Sequence, residues 1–320
     1  MSLRCRGSAA GTVVAVTIRL TVGTAPWRSH VARVVAAVDG LVPVVKGNGY
    51  GFGRVALARL AAEFSDTVAV GTIHELEGLP PSLHTVVLTP TLTPPDSDAP
   101  ILTVGNQAHV DALGDWPGRV IVKLASGMQR YGRGVELVEY ARAARLDVVG
   151  VSVHPPIAGT DAEHRGEIER LLPTVDPELA VWVSHIEPMT VSSLPPSHTF
   201  RVRLGTGLWH GDKSFFHLCA DVLDVRPVEA GRPVGYRGEP AAATGHLVMI
   251  GAGTANGVTT LADGRSPFHF RRRRLALHEA PHMHTSMAIV PDGDEPPRIG
   301  DWVDLQRPLT MTLVDEFDWQ

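Results

Sequence analysis

Between about residues 25 and 210, short apolar runs alternate with amphipathic stretches, and this alternation constrains the fold more than any other feature of the chain. Val42–Val45, Thr67–Val70, Thr85–Leu88, Val120–Leu124, Val148–Val153 and Val181–Ser184 read as buried parallel strands. Helical patterns lie between several of them: Ser29–Val38, Arg54–Glu63, Ile73–Leu79, Val135–Arg145 and Asp161–Leu172. Alternating strands and helices imply a parallel sheet, because a parallel connection needs a crossover. Roughly eight such units in under about 200 residues favour a (β/α)8 TIM-type barrel, an α/β fold whose chemistry sits at the C-terminal ends of the strands. Beyond about residue 215 the pattern changes to short strands separated by Gly, Pro and Asp turns: Ala220–Arg226, His246–Ile250, Leu275–His278, Met287–Val290 and Trp302–Leu305. The expected division is a barrel over residues 23–214 and a smaller all-β domain over 215–320. Residues 1–22 join the β domain, since the early strand Thr12–Leu20 has no helix partner.

Composition narrows the partners. Hydrophobic residues make up 44% and charged residues 20%, enough to bury a core. A net charge of −5 gives no reason to expect nucleic acid or an anionic membrane surface. The one basic cluster, Arg271–Arg274, has no interleaved aromatic residues and reads as a solvated strand end or loop. The stretch Val13–Val22 is too short and too polar to span a membrane, and no signal-peptide pattern follows it. Two cysteines, Cys5 and Cys219, make no disulfide framework and no cysteine-based zinc site. The expected location is the cytoplasm.

Lysine is scarce. Of 29 basic residues only Lys46, Lys123 and Lys213 are lysine. An exposed lysine could be arginine at little cost, whereas a lysine that must lose its proton could not. Lys46 directly follows the run Val42–Val45 and opens Lys-Gly-Asn-Gly-Tyr-Gly-Phe-Gly, residues 46–53. A desolvated amine at a strand end has a lowered pKa and can form a Schiff base with an aldehyde cofactor. The glycines let backbone approach such a cofactor and its phosphate. Their alternate spacing does not meet the G-x-G-x-x-G of a dinucleotide loop.

This segment closely resembles the lysine motif of the alanine racemase family, whose cofactor is pyridoxal 5′-phosphate (PLP). Further segments resemble the family in the same order: Val-Lys-Leu-Ala-Ser-Gly-Met-Gln-Arg-Tyr-Gly at 122–132, Gly-Val-Ser-Val-His at 150–154, Val-Arg-Leu-Gly-Thr-Gly-Leu at 202–208, Ala-Gly-Arg-Pro-Val-Gly-Tyr at 230–236 and Arg-Ile-Gly-Asp-Trp-Val-Asp-Leu at 298–305. The resemblance implies that Lys46 carries PLP and that Tyr50 packs beside it. Arg130 would bond the phenolic oxygen and His154 would sit against the ring. Arg203 would face the pyridine nitrogen, with Gly205 and Thr206 holding the phosphate. Lys123 falls on a lysine that is carbamylated in some members. The β domain would complete the partner's site in a homodimer with shared active sites. No metal is expected.

The chain departs from the family where the second proton-transfer group should be. The family's tyrosine motif aligns with Gly-Thr-Ala-Asn-Gly at 253–257, which puts Thr254 at the tyrosine. A threonine hydroxyl is too weak an acid for that task at neutral pH. Ser184-His185-Ile186-Glu187-Pro188 does not match the family's small phosphate-binding turn, and the chain ends at Gln320, ahead of the family's C-terminal tyrosine. Either His282 or His284 replaces the tyrosine, or no group does and Lys46 alone exchanges the α-proton of one enantiomer. As an i, i+2 pair on a strand the two histidines would share one face, with His278 nearby. Three functions stay open: a PLP-dependent racemase of a small amino acid, a PLP-dependent lyase (aldolase or dehydratase) on a D-amino acid, and a non-catalytic PLP-binding protein.

Overall fold

The strand β1 (Ile18–Val22) opens the part of the chain that this computed structural model describes, residues 17–320. Contacts divide these residues into two units, 29–211 and 17–28 with 212–320.

The first unit is built on eight parallel strands: β2 (Leu41–Pro43), β3 (Thr67–Val70), β4 (His84–Val87), β5 (Ile101–Val104), β6 (Arg119–Lys123), β7 (Asp147–Ser152), β8 (Ala180–Val183) and β9 (Phe200–Leu204). Their order around the sheet is β2-β9-β8-β7-β6-β5-β4-β3. A parallel bridge from Val44 to Ala69 and a bond from Val45 N to Ala69 O (2.8 Å) join the two ends, so the sheet closes into a barrel. Strands buried on both faces read as unbroken apolar runs; every residue of β3 and β5 is buried.

Helices α1 (Thr24–Ala37), α2 (Arg54–Ala61), α3 (Gln107–Asp111), α4 (Glu136–Ala143) and α5 (Asp161–Leu171) separate the strands, with two four-residue helices, α6 (Pro188–Val191) and α7 (Thr206–Trp209), near the end. α4 buries Leu137, Val138 and Ala141, a spacing that puts them on one face. α5 starts on a capping box: Thr160 Oγ1 accepts from Glu163 N while the Glu163 carboxylate accepts from Thr160 N. α3 starts on Asn106, whose Oδ1 accepts from His109 N at 2.9 Å.

Sequence and structure differ at several places in this unit, among them the helices α3, α6 and α7, which are too short to show an amphipathic period. The expected helix Ile73–Leu79 is a single 3₁₀ turn, Ile73–Glu75. Pro80 and Pro81 stop it, and the Glu75 carboxylate turns back to accept from Gly71 N at 2.7 Å. β5 escapes the apolar-run reading because it is four residues long and set among prolines. β9 escapes it because arginines alternate with apolar residues, and one of them, Arg203, is buried.

The second unit is a nine-stranded sheet centred on β10 (Phe216–Val228). β10 pairs antiparallel with β1 at its start and with Trp302–Leu305 beside it. A register shift between Val222 and Asp224 then carries it onto Gly245–Ile250, which pairs in turn with Ser286–Pro291. Glu316–Trp319 runs parallel to β1. Val228, Ala241, Leu247 and Ile289 form one buried cluster there, with Met249 and Met287 against it. The expected N-terminal strand is present from Ile18 onward, and its earlier residues lie outside those described. Arg271 and Arg272 make a turn with positive φ between Phe268–Phe270 and Arg273–Arg274. Arg271 pairs with Glu295 and Arg273 with Asp294.

Cys219 is buried in β10 and held in a disulfide, so no free thiol occurs among the described residues. That removes the cysteine count as an argument for a reducing compartment. No helix among the described residues is long and apolar enough to cross a membrane.

Candidate active site

Lys46 leaves the C-terminal end of β2 and is followed by a turn that only a glycine-rich segment can make. Gly49 has φ +63°, and a Cβ there would lie 2.4 Å from Arg54 N. Tyr50 itself is left-handed, with φ 54°. Its carbonyl accepts from His210 Nε2 at 2.7 Å, and Asn48 Oδ1 accepts from Gly51 N. The buried Tyr50 ring then lies against Gly205, where a Cβ would come within 1.9 Å of its hydroxyl. Burial pushes the Tyr50 phenol up to about 12, so it stays protonated and serves as packing and a hydrogen-bonding group.

The end of β6 brings in two more cations. Lys123 is its last residue and is 4% exposed. The segment after it folds back: Ala125 N bonds Arg133 O and Arg133 N bonds Lys123 O. Arg130 sits at the top of this return and is exposed. β9 contributes Arg203, buried to 8% exposure. Its guanidinium donates to the carbonyls of Val153 (3.1 Å), Trp182 and Val183 and to Ser184 Oγ. It is therefore pinned to the ends of β7 and β8 rather than to a carboxylate.

These four cations feel one another. Lys46 lies below the usual lysine range, first through partial burial and then through the charges of Arg130 and Arg203, with Glu75 opposing. Lys123 is pushed down to about 8 by burial, Arg203 and Arg130. Arg203 falls to about 10 through burial and Arg130, which leaves it charged at neutral pH. Among the described residues none of the four makes an ion pair with a carboxylate. Such a cluster calls for an anion.

His154 follows β7, and Ser184 Oγ lies 2.5 Å from its Nδ1. Arg203 donates to that hydroxyl, so the serine proton is free to point at His154 Nδ1 and the ring proton sits on Nε2. Burial, then Arg203, Lys123, His185 and Arg130, push His154 down to about 2, which keeps it neutral. Ser184 and His185 have no counterpart in the family motif, yet both stand at the mouth. The His185 ring centroid is 4.6 Å from that of His154. Below them, buried His164 of α5 has Nδ1 2.6 Å from His185 O and Nε2 3.1 Å from Ala158 O, tying together the loops after β7 and β8.

Thr254, His282 and His284 belong to the β unit, and the structure brings them together there. Thr254 N bonds His282 O (2.8 Å) and Ala255 N bonds Met283 O (2.9 Å). The expected strand geometry does not hold. His282–His284 is a turn closed by His282 N to Thr285 O, with the strand starting only at Ser286, so strand alternation does not put the two rings on one face. Pro281 and the packing of Glu279 explain the break. Glu279 Oε1 accepts from Tyr236 N at 3.2 Å and lies 2.6 Å from His282 Nε2. His278 Nε2 instead lies 3.2 Å from Val234 O, and His284 is exposed. Tyr236, distant from this motif in sequence, packs its ring 4.6 Å from His282.

Residues 25–210 match the family model described as alanine racemase, N-terminal domain. No curated protein matches. Among solved structures, alanine racemase from Clostridium difficile 630 is 16% identical at a TM-score of 0.72, with 97% of each chain covered. Alanine racemase from Bartonella henselae, solved with covalently bound pyridoxal phosphate, is 18% identical at a TM-score of 0.66, with 95% of this chain and 99% of that chain covered. The enzyme from Streptomyces coelicolor A3(2) is 18% identical at 0.67. A parallel barrel with an antiparallel β unit and a matching N-terminal model place this chain in the alanine racemase family.

Proposed function

We propose that the protein is a PLP-dependent racemase of a small amino acid. The observation that carries this reading is the barrel mouth, where two lysines and two arginines converge and none of them makes an ion pair with a carboxylate among the described residues. PLP fits that donor set, because it brings a dianionic phosphate, a phenolate and an aldehyde for one amine. When bound, it supplies an electron sink that makes a substrate α-proton acidic. Lys46 would hold it covalently, with Arg130, His154, Arg203, Gly205, Thr206 and Tyr50 around it. Arg203 keeps its charge and accepts no proton, so a ring nitrogen against it would stay unprotonated. That favours brief proton removal and return over deeper bond breaking. Lys46, its amine poised below the usual range, exchanges a proton with the substrate α-carbon. Thr254 cannot supply the second transfer, and an imidazole can. Motif order offers His282 and His284 for that transfer across a homodimer; in this structure Glu279 already engages His282 Nε2.

The test is α-hydrogen exchange in D2O with the PLP-loaded protein, followed together with chirality over a panel of small amino acids. Racemisation appears as exchange from both enantiomers with inversion. Exchange from one enantiomer with retention would reject it in favour of a lyase or a PLP-binding protein.

The homodimer has its own check. Tyr236 and Met283, 88% and 66% exposed, flank the Thr254–His282 turn as an apolar patch on the β unit. Light scattering should give about twice the 34.3 kDa chain mass, and serine at both positions should shift the mixture toward monomer. A wild-type monomer at micromolar concentration would rule out shared active sites.

A further inference from the structure

One imidazole at the barrel mouth is left without a task by everything above. His185 follows β8, two strands from Lys46 in the sheet order β2-β9-β8. Its backbone is left-handed, with φ 58°, a conformation that costs energy for a residue other than glycine and gathers at functional sites. The ring is fixed by Nδ1, 2.9 Å from Pro155 O. A carbonyl only accepts, so Nδ1 carries the proton and Nε2 carries the lone pair. No described residue bonds Nε2. The ring is half-buried, packs on His154, and its charge state responds to Lys46 and Arg203. Burial, then His164, Arg203 and Lys46, hold it below the usual histidine range against the pull of Pro155, so it is a neutral acceptor at pH 7.

We propose that His185 is a further catalytic residue, the second proton carrier of the racemisation, standing in the same barrel as Lys46. The inference rests on reading the barrel as a PLP-dependent racemase and names the imidazole that such a reading needs. In one direction the substrate Cα–H bond breaks and its proton passes to Nε2, giving an imidazolium. The electron pair stays with the substrate carbon until Lys46 returns a proton from its ammonium and a new Cα–H bond forms. The reverse direction exchanges the roles. His154 cannot do this work, since its Nδ1 is taken by Ser184 and it stays neutral far below pH 7. Each barrel then holds both proton carriers.

Two measurements decide the matter. The first needs no turnover. Diethyl pyrocarbonate acylates unprotonated imidazoles, and peptide mapping of the PLP-free protein should show His185 modified, with PLP slowing that modification about tenfold or more. Modification unaffected by PLP would overturn the proposal. The second uses His185→Asn, whose side-chain amide can still donate to Pro155 O and whose residue type tolerates positive φ. The PLP-loaded variant should lose about 100-fold or more of α-proton exchange from one enantiomer and much less from the other. Equal losses from both enantiomers, wild-type exchange in His185→Asn, or the one-sided loss appearing in His282→Ala or His284→Ala would each overturn it. A wild-type protein that binds PLP and exchanges no α-proton from any substrate would instead sink the racemase reading itself, and this proposal with it.

Discussion

Lys46→Ala should abolish borohydride fixation of PLP to the chain and lower α-proton exchange by about 1,000-fold or more. Two roles disappear at once, the covalent hold on the cofactor and one proton carrier. Lys46→Arg should rescue neither, because a guanidinium stays charged and does not condense with an aldehyde under these conditions. The wild-type label should map to Lys46 and should be unaffected in Lys213→Ala, which alters an exposed residue of the other unit. A label on Lys123 or Lys213 would place the cofactor elsewhere.

Lys123→Met should make the PLP-free protein more stable at neutral pH, an unusual sign for a buried substitution. Lys123 sits near pKa 8 in the folded chain, against 10.5 for an ordinary lysine. The unfolded chain keeps the ordinary value. Between about pH 8 and 10.5 it therefore binds more protons than the folded chain, and stability rises with pH across that window. Below pH 8 the full cost of holding a buried charge beside Arg203 and Arg130 is present, on the order of 3 kcal/mol. Methionine has a similar length and no charge, so most of that cost is relieved. The expected rise in melting temperature is about 5 °C at pH 7, shrinking toward zero near pH 10.5. The measurement belongs in bicarbonate-free buffer, which keeps the lysine an unmodified amine. Added PLP or inorganic phosphate should stabilise wild type more than the variant, since an anion offsets the same repulsion. A destabilised variant at pH 7 would mean that Lys123 has a counter-charge in solution.

Much of this arrangement was legible in the chain because period and burial agree. The four-residue run Thr67–Val70 is a strand because all of it is buried, and the Glu136–Ala143 pattern is a helix because its apolar residues share a face. Lys46 and His154 could be picked out because each directly follows a buried apolar run, whereas Arg130 and Arg203 came only with the resemblance to the family. Their shared electrostatics could not be seen, because it depends on β2, β6, β7 and β9 meeting at one rim. The importance of Ser184 and His185 was hidden for a related reason. They replace the family's expected residues, and only the hydrogen bonds from Arg203 and to Pro155 show what they do. The His282–His284 pair misled because alternation assumes an extended backbone. Glu279 and the backbone amide of Thr254 instead hold a turn there. Tyr236 lies far from His282 along the chain, which says nothing about distance in space: their ring centroids are 4.6 Å apart.

The buried ring of His164 has a consequence for how this barrel could be altered. Its nitrogens face the carbonyls of residues 185 and 158, which only accept, so the ring donates to one of them when neutral and to both when it carries a second proton, linking two rim loops. Asp161, on the same helix, adds bonds to Glu187 N and Thr190 Oγ1. Loops on such barrels are often treated as separate parts, each open to exchange for new specificity. Here the loops after β7 and β8 form a single module with α5. A graft that replaced one of them would strand buried polar atoms in the other, so a successful transplant has to carry residues 154 to 190 together.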